Sequence, residues 1–181
     1  YGRPVPTMRN YLEAMKLAKV DLDNTGWNVV LAGLGPKMLE LSRDMTEGAL
    51  PYCVTPKHTA MAKEILGPER YLCVEQKICF TEDQKVAREI ASKGMARYMV
   101  LDNYRNNWFR IGFTERDLED GGSARFLDSM VLWGSEDKIR KGLQAHLDAG
   151  ATHIAIQPFD PDEKSIPDLN ALAAFAPGSW S

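Results

Sequence analysis

Leu31-Ala32-Gly33-Leu34-Gly35-Pro36-Lys37-Met38 is the stretch on which the fold turns. The apolar run Trp27–Gly33 predicts a buried strand, and Pro36 opens a helix to Thr46 with Met38, Leu39, Leu41 and Met45 on one side. A strand therefore ends in two glycines at the start of a helix. Glycine lets backbone N–H groups come close to a ligand, and a helix N-terminus offers unpaired donors and a positive dipole end. That arrangement suits a phosphate. The dinucleotide fingerprint is not met, because Met38 stands where the third glycine would be, and the GK[ST] ending of a P-loop is missing. The competing explanation is a tight turn that needs glycine for positive φ.

The same rhythm continues outward. Ala49–Val54 is a second apolar run. Thr55-Pro56 then reads as an N-cap with proline at the first helical position, and the helix stops at Gly67-Pro68. Tyr71–Phe80 is a third run, and Thr81-Glu82-Asp83-Gln84 has capping-box spacing for the next helix. Met95–Asp120 is polar-aromatic and partly helical, with a further helix start at Thr114. A helix is expected from Ser123 through Leu132, another from Ser135 to Gly150, a fourth strand over Thr152–Gln157 and a closing helix over Pro167–Phe175. Ahead of all this, Pro4 and Pro6 predict an extended start, with helical spacing from Thr7 and a turn at Asp23-Asn24-Thr25-Gly26. Strands alternating with helices predict one α/β domain over residues 1–181, built of parallel βα units with right-handed crossovers. The expected sheet order is Trp27–Gly33, Ala49–Val54, Leu72–Phe80, Thr152–Gln157. Four such units make either a small doubly wound sheet or half of an eight-stranded barrel.

Composition narrows the function classes. The 181 residues carry a formal net charge of −3, which argues against a nucleic-acid-binding surface. No apolar run reaches the ~20 residues of a membrane helix, and no secretory signal pattern is read at the start. Three cysteines, Cys53, Cys73 and Cys79, form no CxxC and fit free thiols in a reducing, cytoplasmic setting. His58, His146 and His153 are too scattered for a structural metal site. His58 is expected as a solvated residue in the first turn of its helix, and His153 as a packed strand residue. Ser135 after Trp133-Gly134 reads as an ordinary cap. Glu82-Asp83, Glu119-Asp120 and Glu136-Asp137 sit at helix ends, where capping explains them. No GxSxG elbow is present, so acyl transfer is unsupported. The aromatics Tyr98, Tyr104, Trp108, Phe109 and Phe113 fit helix packing or a dimer face.

Several segments, taken in order, resemble the luciferase-like monooxygenase superfamily, and within it the deazaflavin-dependent oxidoreductase branch. They are Arg3-Pro4 with Met8–Leu12, Gly35–Leu41, Gly48–Tyr52, Val54–Thr59, Ile65–Pro68, Asn103–Arg105, Gly112–Thr114, and Trp133-Gly134 ahead of His146–Ala151. The resemblance implies a TIM-type (β/α)8 barrel, of which this chain looks like the C-terminal half, about four strands. It also implies an oxidoreductase passing hydride between coenzyme F420 and an organic substrate, with FMN and molecular oxygen as the close alternative. A non-catalytic half-barrel assembly module is the reading from a different class.

In that family the loop after the fifth strand meets the phosphate end of the cofactor. This maps to Ala32, Gly33, Leu34 and Gly35, with Gly48, Ala49 and Leu50 lining the same wall; no catalytic residue and no metal ligand is carried over. A half barrel has two open edges and an uncovered inner face, expected to include Val30, Ala32 and Ile154 or their neighbours. The chain opens on Tyr1 and not on Met, which hints at a processed or truncated product. It is expected to associate with a missing N-terminal half or as a homo-oligomer, unless Met95–Asp120 folds over the open face. Nucleic acid and membrane are not expected partners.

Overall fold

The computed structural model describes residues 3–17, 29–162, 164, 167–176 and 178. Three βα steps set the frame: β1 (Val30–Leu31) to α2 (Pro36–Met45), β2 (Gly48–Ala49) to α3 (Pro56–Leu66), and β3 (Tyr71–Cys79) to α4 (Gln84–Met99). Then follow α5 (Asp102–Arg110), two single-turn 3₁₀ segments (Glu115–Asp117 and Glu119–Gly121), and α6 (Ala124–Met130). The chain continues with β4 (Val131–Trp133), α7 (Glu136–Asp148), β5 (His153–Phe159) and α8 (Leu169–Ala174). Ahead of the first strand lies α1 (Pro4–Leu17). Every strand pairing among the described residues is parallel.

β1 pairs with β2, β2 with β3 and β3 with β5, the order expected of the four strands read from the sequence, and β4 joins β3 as a fifth. β5 pairs with β3 continuously from Cys73↔His153 to Cys79↔Phe159. β4 pairs with Lys77–Cys79, so it must lie on the opposite edge of β3, beyond the end of β2.

Alternation along β3 divides the sheet into two faces. Leu72, Val74 and Ile78 point to the helices, where they meet Leu39 of α2, Ala62 and Leu66 of α3, and Ile139 and Leu143 of α7. Each of these leucines, isoleucines and valines is almost fully buried and contributes roughly 1.5–3 kcal/mol. The other face carries Cys73, Glu75, Lys77 and Cys79, in register with His153, Ala155, Gln157 and Phe159 of β5. Near the strands' C-terminal ends this inner face is covered by α4, α5 and α6, through Met95, Trp108 and Phe126. The Met95–Asp120 segment thus does supply a cover. Ala32, Tyr71, His153 and Ala155 stay exposed where it does not reach.

Several local expectations are corrected. Val131 and Leu132 belong to a strand rather than to the helix from Ser123; two turns of apolar periodicity do not separate the two. Pro4 and Pro6 start α1 instead of an extended lead-in, because proline's missing N–H is tolerated in a first helical turn. Asp83, not Thr81, caps α4, accepting from the Lys85 and Val86 amides. Thr55 stands at the N-cap of α3 but makes no side-chain cap bond. Ile154 packs against the helices, and its neighbours His153 and Ala155 lie on the inner face, within the expectation. His153 is exposed, its ring edge against Tyr71. Ser135 does cap α7, and Thr114 opens the first 3₁₀ turn with a reciprocal Asp117 bond. The Asp23–Gly26 turn and Trp27-Asn28 lie outside the described residues.

Gly48 is held by its neighbour across the sheet. A Cβ there would stand 2.1 Å from the Tyr71 carbonyl oxygen, which is fixed in the β2–β3 ladder. Gly48→Ala is expected to cost about 1–3 kcal/mol in urea unfolding, by forcing the two strands apart. A loss under ~0.5 kcal/mol would mean that this pairing is not tight.

Candidate functional site

Parallel strands followed by helices on one face bring the N-termini of α2 and α3 side by side, at the C-terminal ends of β1 and β2. Leu34 O, one residue before the α2 N-cap, lies 2.8 Å from His58 Nε2 in the first turn of α3. Neither helix has a side-chain cap bond, and both carry proline in their first turn. Their early amides are therefore not satisfied by the chain's own capping side chains.

The two loop glycines are there for different reasons, neither of which is positive φ. Gly35 is extended (φ −85°, ψ 161°), and neither it nor Gly33 is among the left-handed residues. Gly33 is buried, and a Cβ on it would meet Ser42 Oγ at 2.9 Å, so close packing of α2 on the strand requires it. A Cβ on Gly35 would meet nothing within 4 Å. The described residues give no steric or conformational reason for glycine at 35, and the open space lies beside a helix start with no side-chain cap bond.

Of the other expected residues, Ala32 is exposed at the end of β1, and Leu34 packs partly into the core formed by Leu39, Val54 and Ala62. Leu50 donates its amide to Leu31 O and is half-buried. Gly48 and Ala49 sit one step deeper in β2. Ala49 is fully buried on the helix side, and Gly48 lies under Tyr71. The structure thus brings Ala32–Gly35 and Leu50 together at the strand ends, with Gly48 and Ala49 beneath them.

His58 is fully buried, contrary to the solvated role expected of it. A carbonyl can only accept, so Nε2 carries the proton, and Nδ1 is a bare acceptor with no partner. Burial holds its pKa below the usual histidine value.

Two further polar clusters escaped the sequence reading. On the inner face, Lys77 Nζ lies 3.0 and 3.1 Å from the Glu75 carboxylate oxygens and 3.2 Å from Cys53 Sγ. It also sits 3.6 Å over the Tyr52 ring. Lys77 and Glu75 are 1% and 6% exposed. Burial raises the Glu75 pKa, with Lys77 opposing, and pushes the Cys53 thiol up to about 12, so Cys53 is no ready nucleophile. Tyr98 donates to the Tyr52 hydroxyl, which donates to Gln157 Oε1 at 2.5 Å. Cys53 itself takes a left-handed backbone (φ 55°), its carbonyl accepting from Trp108 Nε1. On the helix side, His146 is wedged between Thr59 and Gln76. The sequence signal for the first cluster was two charges at i and i+2 inside an apolar strand.

A cleft of about 650 Å³ opens at the C-terminal ends of β3 and β5, lined by Phe80, Asp160, Asp162, Lys164, Asp168 and Asn170. Its carboxylates are engaged: Asp160 and Asp168 accept backbone amides, and Asp162 pairs with Lys164. An anion is disfavoured there by the three carboxylates. Among the described residues no metal-holding cluster is found and no helix is long and apolar enough to cross a membrane.

No family model and no curated protein matches the chain. Among solved structures it resembles an F420-dependent secondary alcohol dehydrogenase captured with an F420-acetone adduct. The TM-score is 0.53 and the identity 13%, over 72% of this chain and 43% of that one. A coenzyme F420-dependent tetrahydromethanopterin reductase from Methanopyrus kandleri gives a TM-score of 0.48 at 15% identity, covering 72% and 45%. The chain thus spans under half the length of either enzyme. The first likeness shows the fold: parallel βα units forming part of a (β/α)8 barrel.

Proposed function

We propose that the chain is the C-terminal half-barrel of a luciferase-like oxidoreductase and binds the phosphate end of coenzyme F420 at Ala32–Gly35. The observation that carries this reading is Gly35: a glycine without a conformational or packing reason, facing open space at an uncapped helix start. The dehydrogenase of similar fold is F420-dependent, which supports the choice of cofactor. The chemistry supplied by the bound deazaflavin is hydride transfer with an organic substrate. The protein's part is to bind and orient. Backbone amides at the start of α2 meet the phosphate, Leu50 walls the site, Gly48 and Ala49 support it from below, and Lys37 adds a cation at the rim. The open inner face beside Ala32 faces the other half of the barrel, supplied by an N-terminal half or by a second copy.

Gly35→Asp tests the site. A carboxylate placed among the donors repels the phosphate, and binding is expected to weaken by at least ~100-fold, or ~2.7 kcal/mol. Fluorescence titration with F420 and, separately, FMN reads the effect and tells the two cofactors apart. Equal affinity of Gly35→Asp and the unaltered protein would remove the site. An unaltered protein that binds neither cofactor but self-associates would favour the assembly module, whereas a stable monomer would favour a self-contained small α/β domain.

A further inference from the structure

We propose that His58 is the positioning residue of the Ala32–Gly35 loop, fixing the Leu34–Gly35 peptide so that the Gly35 amide faces the anion. This inference rests on the phosphate reading of the loop. His58 comes from another element, 24 residues along the chain, and its ring is fully buried. Its Nε2–H donates to Leu34 O at 2.8 Å. The Leu34 carbonyl and the Gly35 N–H belong to one planar trans peptide, so they point in opposite directions. Tying the carbonyl down to α3 therefore turns the Gly35 amide away from α3. A glycine at 35 adds no side chain of its own beside that amide, in a place where a Cβ would meet no described residue within 4 Å.

The imidazole is a poor choice for packing alone. Its Nδ1 is buried with no partner, a penalty that a leucine of similar size would avoid. The hydrogen bonds found for the ring reduce to the one that sets Leu34. The same bond ties α3 to the start of α2, keeping two uncapped N-termini together.

The test uses the whole chain with inorganic phosphate as probe, following the Gly35 and Lys37 amides by ¹⁵N NMR. His58→Leu removes the donor, and His58→Gln restores an N–H at the reach of Nε2. Loss of one hydrogen bond predicts phosphate affinity about tenfold weaker in His58→Leu, with Gly35 amide exchange about tenfold faster. His58→Gln is expected to recover most of both. The melting temperature of His58→Leu should hold, because the unpartnered Nδ1 is lost with the donor. Phosphate affinity unchanged in His58→Leu overturns the proposal. So does a loss that His58→Gln fails to recover, or the absence of any phosphate effect at Gly35 in the unaltered protein. Phosphate binding that depends on His58, without F420 or FMN binding, would leave the positioning role standing and sink the oxidoreductase reading.

Discussion

Lys77→Met is expected to lose about 3–5 kcal/mol of stability, a large part of the ~5–15 kcal/mol that holds a domain folded. The substitution conserves length and apolar stem but removes the ammonium. Among the described residues Glu75 then keeps one weak partner, the Cys53 amide at 3.3 Å, while 6% exposed. An uncompensated carboxylate at that depth must either take up a proton or draw in water. The loss comes from stranding the partner rather than from the intrinsic worth of the pair, because well-packed apolar replacements for buried pairs are often neutral. The double variant Lys77→Met with Glu75→Gln should therefore recover more than half of the loss, since glutamine still accepts from Cys53. Urea unfolding of the two single variants and the double variant closes the cycle. If Lys77→Met alone costs under ~1 kcal/mol, the cover formed by α4–α6 is open to water. If the single variant fails to fold, a folded double variant still makes the point.

This ion pair is also where sequence reading stopped short. Tyr71–Phe80 was legible as a strand, and the path of the four main strands followed from the βα rhythm, because hydrophobic period and turn residues are local properties. Which face of the strand Glu75 and Lys77 would occupy is not local. It depends on α4–α6 folding back over the inner face, a contact between residues 24 to 55 positions apart, such as Cys53 with Lys77 and with Trp108. His58 failed for the same reason. Its position in the first helical turn suggested solvent, but the turn packs onto the preceding βα loop, which local sequence does not reveal. Gly33 and Gly35 were singled out together, but the grounds for the two glycines differ: one is needed for packing against Ser42, and no described residue requires the other. β4 was lost because Val131-Leu132-Trp133 continues the apolar run of α6 without a break residue before Gly134.

Acid is expected to destabilise the fold well before its carboxylates protonate, and His146 carries the largest single share. The ring is 1% exposed between α3 and β3. The Gln76 amide is oriented by its Nε2 donating to Lys77 O and Met130 O, so Oε1 faces His146 and must accept from Nε2–H at 2.9 Å. Nδ1 is then the acceptor, receiving the Thr59 hydroxyl at 2.8 Å. The neutral ring satisfies both neighbours. A second proton at Nδ1 would turn that acceptor into a donor and put a charge in a dry site. Burial, with a smaller repulsion from His58, lowers the pKa to about 4 from the ordinary 6.5. A histidine whose folded pKa lies below its unfolded value binds more protons when unfolded. Its stability is therefore full above pH ~6.5 and is lost as pH falls toward 4, by on the order of 3 kcal/mol in all. His58, also buried and lowered, adds in the same direction. Urea unfolding at pH 7.5, 5.5 and 4.5 measures the slope, and His146→Gln isolates the share. The variant is less stable at pH 7.5, where it loses a fitted hydrogen-bonded ring, yet its stability should fall more slowly between pH 6.5 and 4. Parallel pH curves for the variant and the unaltered protein would show that His146 titrates normally, and so that the Thr59–His146–Gln76 chain is not closed to water.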